Sequence, residues 1–65
     1  MKILVNGAWH ETERRELAGA LEELGYGGSV VSTAVNGEFI ATVARSRTRL
    51  AEGDRVEVLA PMQGG

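Results

Sequence analysis

The sequence predicts an α+β domain, a mixed sheet of four to five strands with one main helix packed across one face. Three observations carry this. Two Asn-Gly pairs, Asn6-Gly7 and Asn36-Gly37, each stand between short apolar runs; such a pair favours a type I′ hairpin, which needs positive φ at both central residues. One leucine stripe, Leu17, Leu21 and Leu24, falls at helical spacing. A last segment, Arg55 to Ala60, puts Val56, Val58 and Ala60 on one side and Arg55, Glu57 and Leu59 on the other, the period of a half-buried strand.

Lys2 to Val5 forms the first strand, with Ile3 and Val5 on one face, and Ala8 to Glu11 is its return. Thr12 is the expected N-cap of the helix, with Glu13 and Glu16 placing negative charge near its positive end. Ala18 and Ala20 flank the leucine stripe, Gly25 suits the C′ position, and Gly27-Gly28 continue the break. Gly19, costing about 1 kcal/mol inside a helix, is expected to mark close packing against the sheet. Val30 to Ile40 reads as a second hairpin. Ala41 to Arg49 lacks clean periodicity and reads as an irregular crossover or short helix, from which Leu50 plugs the core. Glu52-Gly53-Asp54 turns the chain into the last strand, which Pro61 ends because it has no N–H for a ladder.

Composition removes whole classes of function. Sixty-five residues make one domain that buries about 60% of its unfolded surface. With no cysteine, disulfides, thiolate metal sites, persulfides and thiol nucleophiles are all excluded. A net charge of −2 argues against nucleic acid. No apolar run approaches the roughly 20 residues that span a bilayer, and no leader pattern stands at the start. The expectation is a soluble, cytoplasmic protein, monomeric when alone.

No catalytic set emerges. His10 is the only histidine and reads as an exposed strand side chain. Glu11, Glu13, Glu16 and the pair Glu22-Glu23 read as a solvated face rather than as acid–base pairs. Trp9 reads as edge packing, with a partner surface as the alternative, and Arg45, Arg47 and Arg49 read as a solvated loop. The informative residues lie elsewhere. If Ile3, Val5, Val56 and Val58 face the helix, Leu4 and Leu59 face water, and Ala34 joins them if Thr33 and Val35 point inward. Leu4, Ala34 and Leu59 are therefore the candidate docking patch. Past Pro61 come Met62, Gln63, Gly64 and Gly65, read as a flexible tail, 61–65. Such a glycine end can enter a channel where any Cβ would collide. The expected reactive group is the main-chain carboxylate of Gly65.

The pattern Val35-Asn36-Gly37-Glu38-Phe39, then Leu50-x-x-Gly53-Asp54-x-Val56-Glu57-Val58, then Pro61-Met62-Gln63-Gly64-Gly65 resembles the ThiS family of sulfur carriers along the whole chain. The resemblance implies a β-grasp, ubiquitin-like domain over 1–60 with the first and last strands central and parallel. It implies that Gly65 is adenylated by a ThiF-type, ATP-dependent activating enzyme and becomes a thiocarboxylate. Sulfur would then pass to the thiazole synthase ThiG in thiamine biosynthesis. The chain itself would be no enzyme and would need no cofactor or metal. It departs from the family pattern at Ala41-Thr42, where Pro-Arg is usual, and at Arg45, where an aromatic is usual. A MoaD-like small subunit of molybdopterin synthase shares the Gly-Gly end. A ubiquitin-like modifier or interaction module is the alternative from another class.

Overall fold

The computed structural model describes residues 1–60. The element order is strand β1 (Lys2–Val5), strand β2 (Ala8–Glu11), helix α1 (Leu17–Glu23), strand β3 (Ser32–Val35), strand β4 (Glu38–Ile40), a 3-10 helix (Thr42–Arg47) and strand β5 (Arg55–Leu59). The sheet runs β2-β1-β5-β3-β4. The first and last strands are central neighbours and parallel, and every other pairing is antiparallel. Both hairpins close at the Asn-Gly pairs, with φ of 48° at Asn6 and 52° at Asn36 followed by 84° at each glycine. These are the positive values a type I′ turn requires.

Helix α1 covers one face. Ile3, Val5, Leu17, Ala20, Leu21, Val31, Leu50, Val56 and Val58 form the buried cluster, and Leu24 and Tyr26 pack against it. The alternation read from the sequence has the right phase from Val56 to Leu59, whereas Ala60, expected on the buried side, is exposed and lies past the end of β5. The buried hydroxyl of Thr33 donates to the Ile40 carbonyl at 2.9 Å, so no orphan polar group is left there. Gly25, at φ 95°, ends the helix in a Schellman motif. Its N–H reaches the Glu22 carbonyl at 3.0 Å, and the Tyr26 N–H reaches that of Leu21 at 2.8 Å.

Three local expectations are corrected. Thr12 does not cap the helix. Glu16 occupies the N-cap position without a side-chain cap, and the Leu17 N–H donates instead to the Thr48 carbonyl at 2.9 Å. The orphan donor of the first turn is thus met by the returning crossover, where Glu16 bridges Arg49 and the Leu50 N–H donates to the Arg15 carbonyl. Glu13 and Glu16 precede the first turn, which itself holds no acidic residue, and Glu16 at the N-cap position keeps negative charge at the positive end as expected. Gly19 faces away from the sheet: a Cβ there would meet the Arg14 side chain at an ordinary 3.5 Å. Val30 stands outside the second hairpin and is exposed.

Arg45 is also no part of a solvated loop. Its Nε donates to Thr33 Oγ1 at 3.0 Å and its guanidinium reaches the Val31 carbonyl at 2.5 Å. The position where the family resemblance expects an aromatic thus ties the 3-10 helix to the start of β3 by a charge-assisted fork.

Candidate functional site

Strand pairing fixes which residues share the sheet face opposite α1, since directly opposed residues project to the same side. Trp9 lies opposite Leu4, and Leu4 pairs with Arg55 across the parallel ladder. On the far side of β5, Leu59 lies opposite Ser32, Glu57 opposite Ala34, and Ala34 opposite Phe39. The outer face therefore carries two apolar groups, Trp9 with Leu4 and Ala34 with Phe39 and Leu59. Arg55 and Glu57 of β5 stand between them.

Leu4 and Ala34 are half-buried, whereas Leu59 is 69% exposed. The three residues of the predicted patch thus share a face, but Arg55 and Glu57 of β5 stand between Leu4 and the other two. Two further aromatics lie on that face. Phe39 is 68% exposed and Trp9 is 61% exposed, so the edge packing expected of Trp9 is not what it does. Phe39 was missed by sequence reasoning although a signal for it exists. A two-residue turn at Asn36-Gly37 makes Val35 and Glu38 opposite, and hence Ala34 and Phe39. Ser32, Ala34, Phe39, Glu57 and Leu59 line a shallow depression of about 140 Å³.

A larger depression of about 320 Å³ lies elsewhere, among Met1, Thr12, Glu13, Arg15, Arg49 and Leu50. It adjoins the helix start and contains no nucleophile–base pair. Among the described residues, no group of three His, Cys, Asp or Glu side chains could hold a metal ion. No helix among them is long and apolar enough to cross a membrane. His10 lies on the exposed edge strand β2.

Strand β5 is held at both ends by the hairpin asparagines. Asn36 Nδ2 donates to Asp54 Oδ1 at 3.0 Å, and its Oδ1 accepts the Arg55 N–H at 3.0 Å. Asn6 Oδ1 accepts the Val58 N–H at 2.8 Å, and Asn6 Nδ2 donates to the Val58 carbonyl at 3.1 Å. The strand leads into residues 61–65. Met62, Gln63, Gly64 and Gly65, the predicted tail and reactive terminus, lie outside the described residues.

A five-stranded mixed sheet with parallel central first and last strands and one helix across a single face defines a β-grasp domain. The chain belongs to the ThiS family, whose model matches residues 3–65. It is similar to the crystal structure of the thiamine biosynthesis protein ThiS from Geobacter metallireducens. The TM-score is 0.84 and the identity 29%, and the match covers 100% of each chain. An NMR solution structure of a thiamine biosynthesis protein from Geobacter metallireducens matches with a TM-score of 0.77 and 29% identity, covering 100% of this chain and 88% of that one. No curated protein sequence matches significantly.

Proposed function

We propose that this chain is a sulfur carrier of thiamine biosynthesis whose working group is the Gly65 carboxylate. The observation that carries this is the family match running through residue 65, and so over the Gly64-Gly65 end.

The chemistry needs little from the carrier. A carboxylate resists nucleophiles because of its charge and has no usable leaving group. A Gly65 carboxylate oxygen attacks the α-phosphate of ATP, the bond to the β-phosphate breaks, and pyrophosphate departs. The product is an acyl adenylate. Hydrosulfide, or a sulfur donor equivalent to it, then attacks the carbonyl carbon and expels AMP, leaving a thiocarboxylate. That group is a soft nucleophile and hands its sulfur to the thiazole under construction.

The chain is thus a co-substrate, with the catalytic groups on a ThiF-type adenylyltransferase and on the thiazole synthase ThiG. Docking to them falls to the outer face, with Leu4, Ala34 and Leu59 joined by Phe39 and Trp9. Exposed aromatics are the side chains that dominate binding energy at interfaces. Glycines at positions 64 and 65 leave a terminus slim enough for a narrow active-site channel.

Growth tests the pathway. In a host lacking its own thiazole sulfur carrier, the full chain restores growth without thiamine and a chain lacking Gly64-Gly65 does not. Restoration by the shortened chain, or restoration of molybdopterin synthesis instead, contradicts the proposal.

A further inference from the structure

The outer face of the sheet carries two opposite charges at its middle. Arg55 and Glu57 flank the buried Val56 and project to the same side of β5, about 7 Å apart along the strand. Both are exposed, and among the described residues neither side chain is held in an ion pair. Lys2 and Glu11, the other charged strand residues of this face, oppose one another at the far end of the β1–β2 pair. Glu11 is taken up there by the Met1 ammonium at 3.1 Å.

Strand register gives the two central charges an order. One row runs Trp9, Leu4, Arg55 from β2 to β5. The next row along β5 runs Glu57, Ala34, Phe39 out to β4. Each apolar group therefore ends on a charge at the centre of the sheet, a cation on one side and an anion on the other. A depression of about 240 Å³ beside Leu4 is bordered by Arg55 and Glu57, and Glu57 also borders the smaller one beside Phe39. Trp9 and Phe39 stand on strands four steps apart, about 19 Å. A partner that covers both rings also covers Arg55 and Glu57 and strips them of water. Such burial is costly unless each charge meets its opposite.

We propose that Arg55 and Glu57 are the specificity-determining pair of the docking face. The activating enzyme meets Arg55 with a carboxylate and Glu57 with a basic side chain, in that order along β5, between two apolar contacts. This rests on the carrier function and docking face proposed above. Apolar contacts tolerate many surfaces, whereas an ordered pair of charges admits one arrangement and repels its reverse.

The test exchanges the two charges. Arg55→Glu with Glu57→Arg keeps the net charge and both apolar groups, and reverses only the order. Binding of the full chain to the purified activating enzyme of the same organism is titrated at fixed ionic strength, with thermal melts showing each variant folded. The exchanged chain is expected to bind about a hundredfold more weakly, and Arg55→Gln and Glu57→Gln each about tenfold more weakly. Should the exchanged chain not fold, the two glutamine variants decide by the same criterion. Wild-type affinity in the exchanged chain, or in either glutamine variant, overturns the proposal. Phe39→Ala and Trp9→Ala separate this failure from that of the docking face. If either weakens binding while the charge variants do not, the outer face docks without reading the pair. If both also bind as the wild type does, the docking face falls with the pair. No binding by the unsubstituted chain overturns the carrier reading and this inference together.

Discussion

The Thr12 hydroxyl donates to Glu23 Oε1 at 2.6 Å and accepts the Arg14 N–H at 3.0 Å. It joins the segment leaving β2 to the last turn of α1, and it is buried. The Arg14–Glu23 ion pair beside it is long, 3.9 Å, and exposed, so the hydroxyl is the stronger tie. Thr12→Val keeps the shape and removes both bonds. It is expected to cost about 1–3 kcal/mol, read as a lowered thermal midpoint, with no change in activation. An unchanged midpoint means that the hydroxyl does not hold the helix.

Arg45 gives a second stability prediction. Arg45→Met keeps most of the stem and loses the bonds to Thr33 Oγ1 and the Val31 carbonyl. A loss of about 1–3 kcal/mol is expected. Arg45→Lys should recover little of it, because a lysine ammonium lacks the planar fork that reaches two acceptors. Denaturant unfolding of the two variants checks both statements.

Neighbouring residues of β5 should behave in opposite ways. Val58 is 5% exposed and Leu59 is 69% exposed. Val58→Asp buries a charge without a partner and is expected to unfold the domain. Leu59→Asp should change stability by less than about 0.5 kcal/mol and weaken binding to the activating enzyme by more than about 1 kcal/mol. Circular dichroism and a binding titration separate the two effects.

The two apolar groups of the outer face can be told apart in the same way. Phe39→Ala and Trp9→Ala remove exposed rings from opposite sides of Arg55 and Glu57, and both should leave stability nearly unchanged. Phe39 lies beside Leu59, next to where the chain leaves the sheet, and its loss is expected to cost more than about 1 kcal/mol of binding to the activating enzyme. Equal wild-type affinity for both variants would remove the outer face from the docking surface.

The two hairpins and the burial phase were legible because they rest on local chemistry, whereas the parallel pairing of β1 with β5 was implied only by the family resemblance. Asn6-Gly7 and Asn36-Gly37 specify two-residue turns, which fix hairpin register, and register fixes the face of every strand residue. The same logic made Phe39 readable, had Ala34 been followed across its turn. The helix start was not legible. Thr12 has the composition of a cap, but a carbonyl from Thr48, 31 residues past Leu17 (48 − 17), satisfies the first-turn donor. Nothing local announces such a partner. Arg45 was hidden for the same reason, since its acceptors lie 12 and 14 residues back in β3 and just before it. The docking patch was half legible: alternation found the right face, but its division by Arg55 and Glu57 needed the parallel register of β1 and β5.

Intact-mass spectrometry after incubation with ATP, the activating enzyme and a sulfur source tests the central claim most directly. The carrier function predicts a mass gain equal to replacing one oxygen by sulfur, absent from a Gly65 deletion that melts like the full chain. A full chain of unchanged mass, or the same gain in the deletion, would contradict it.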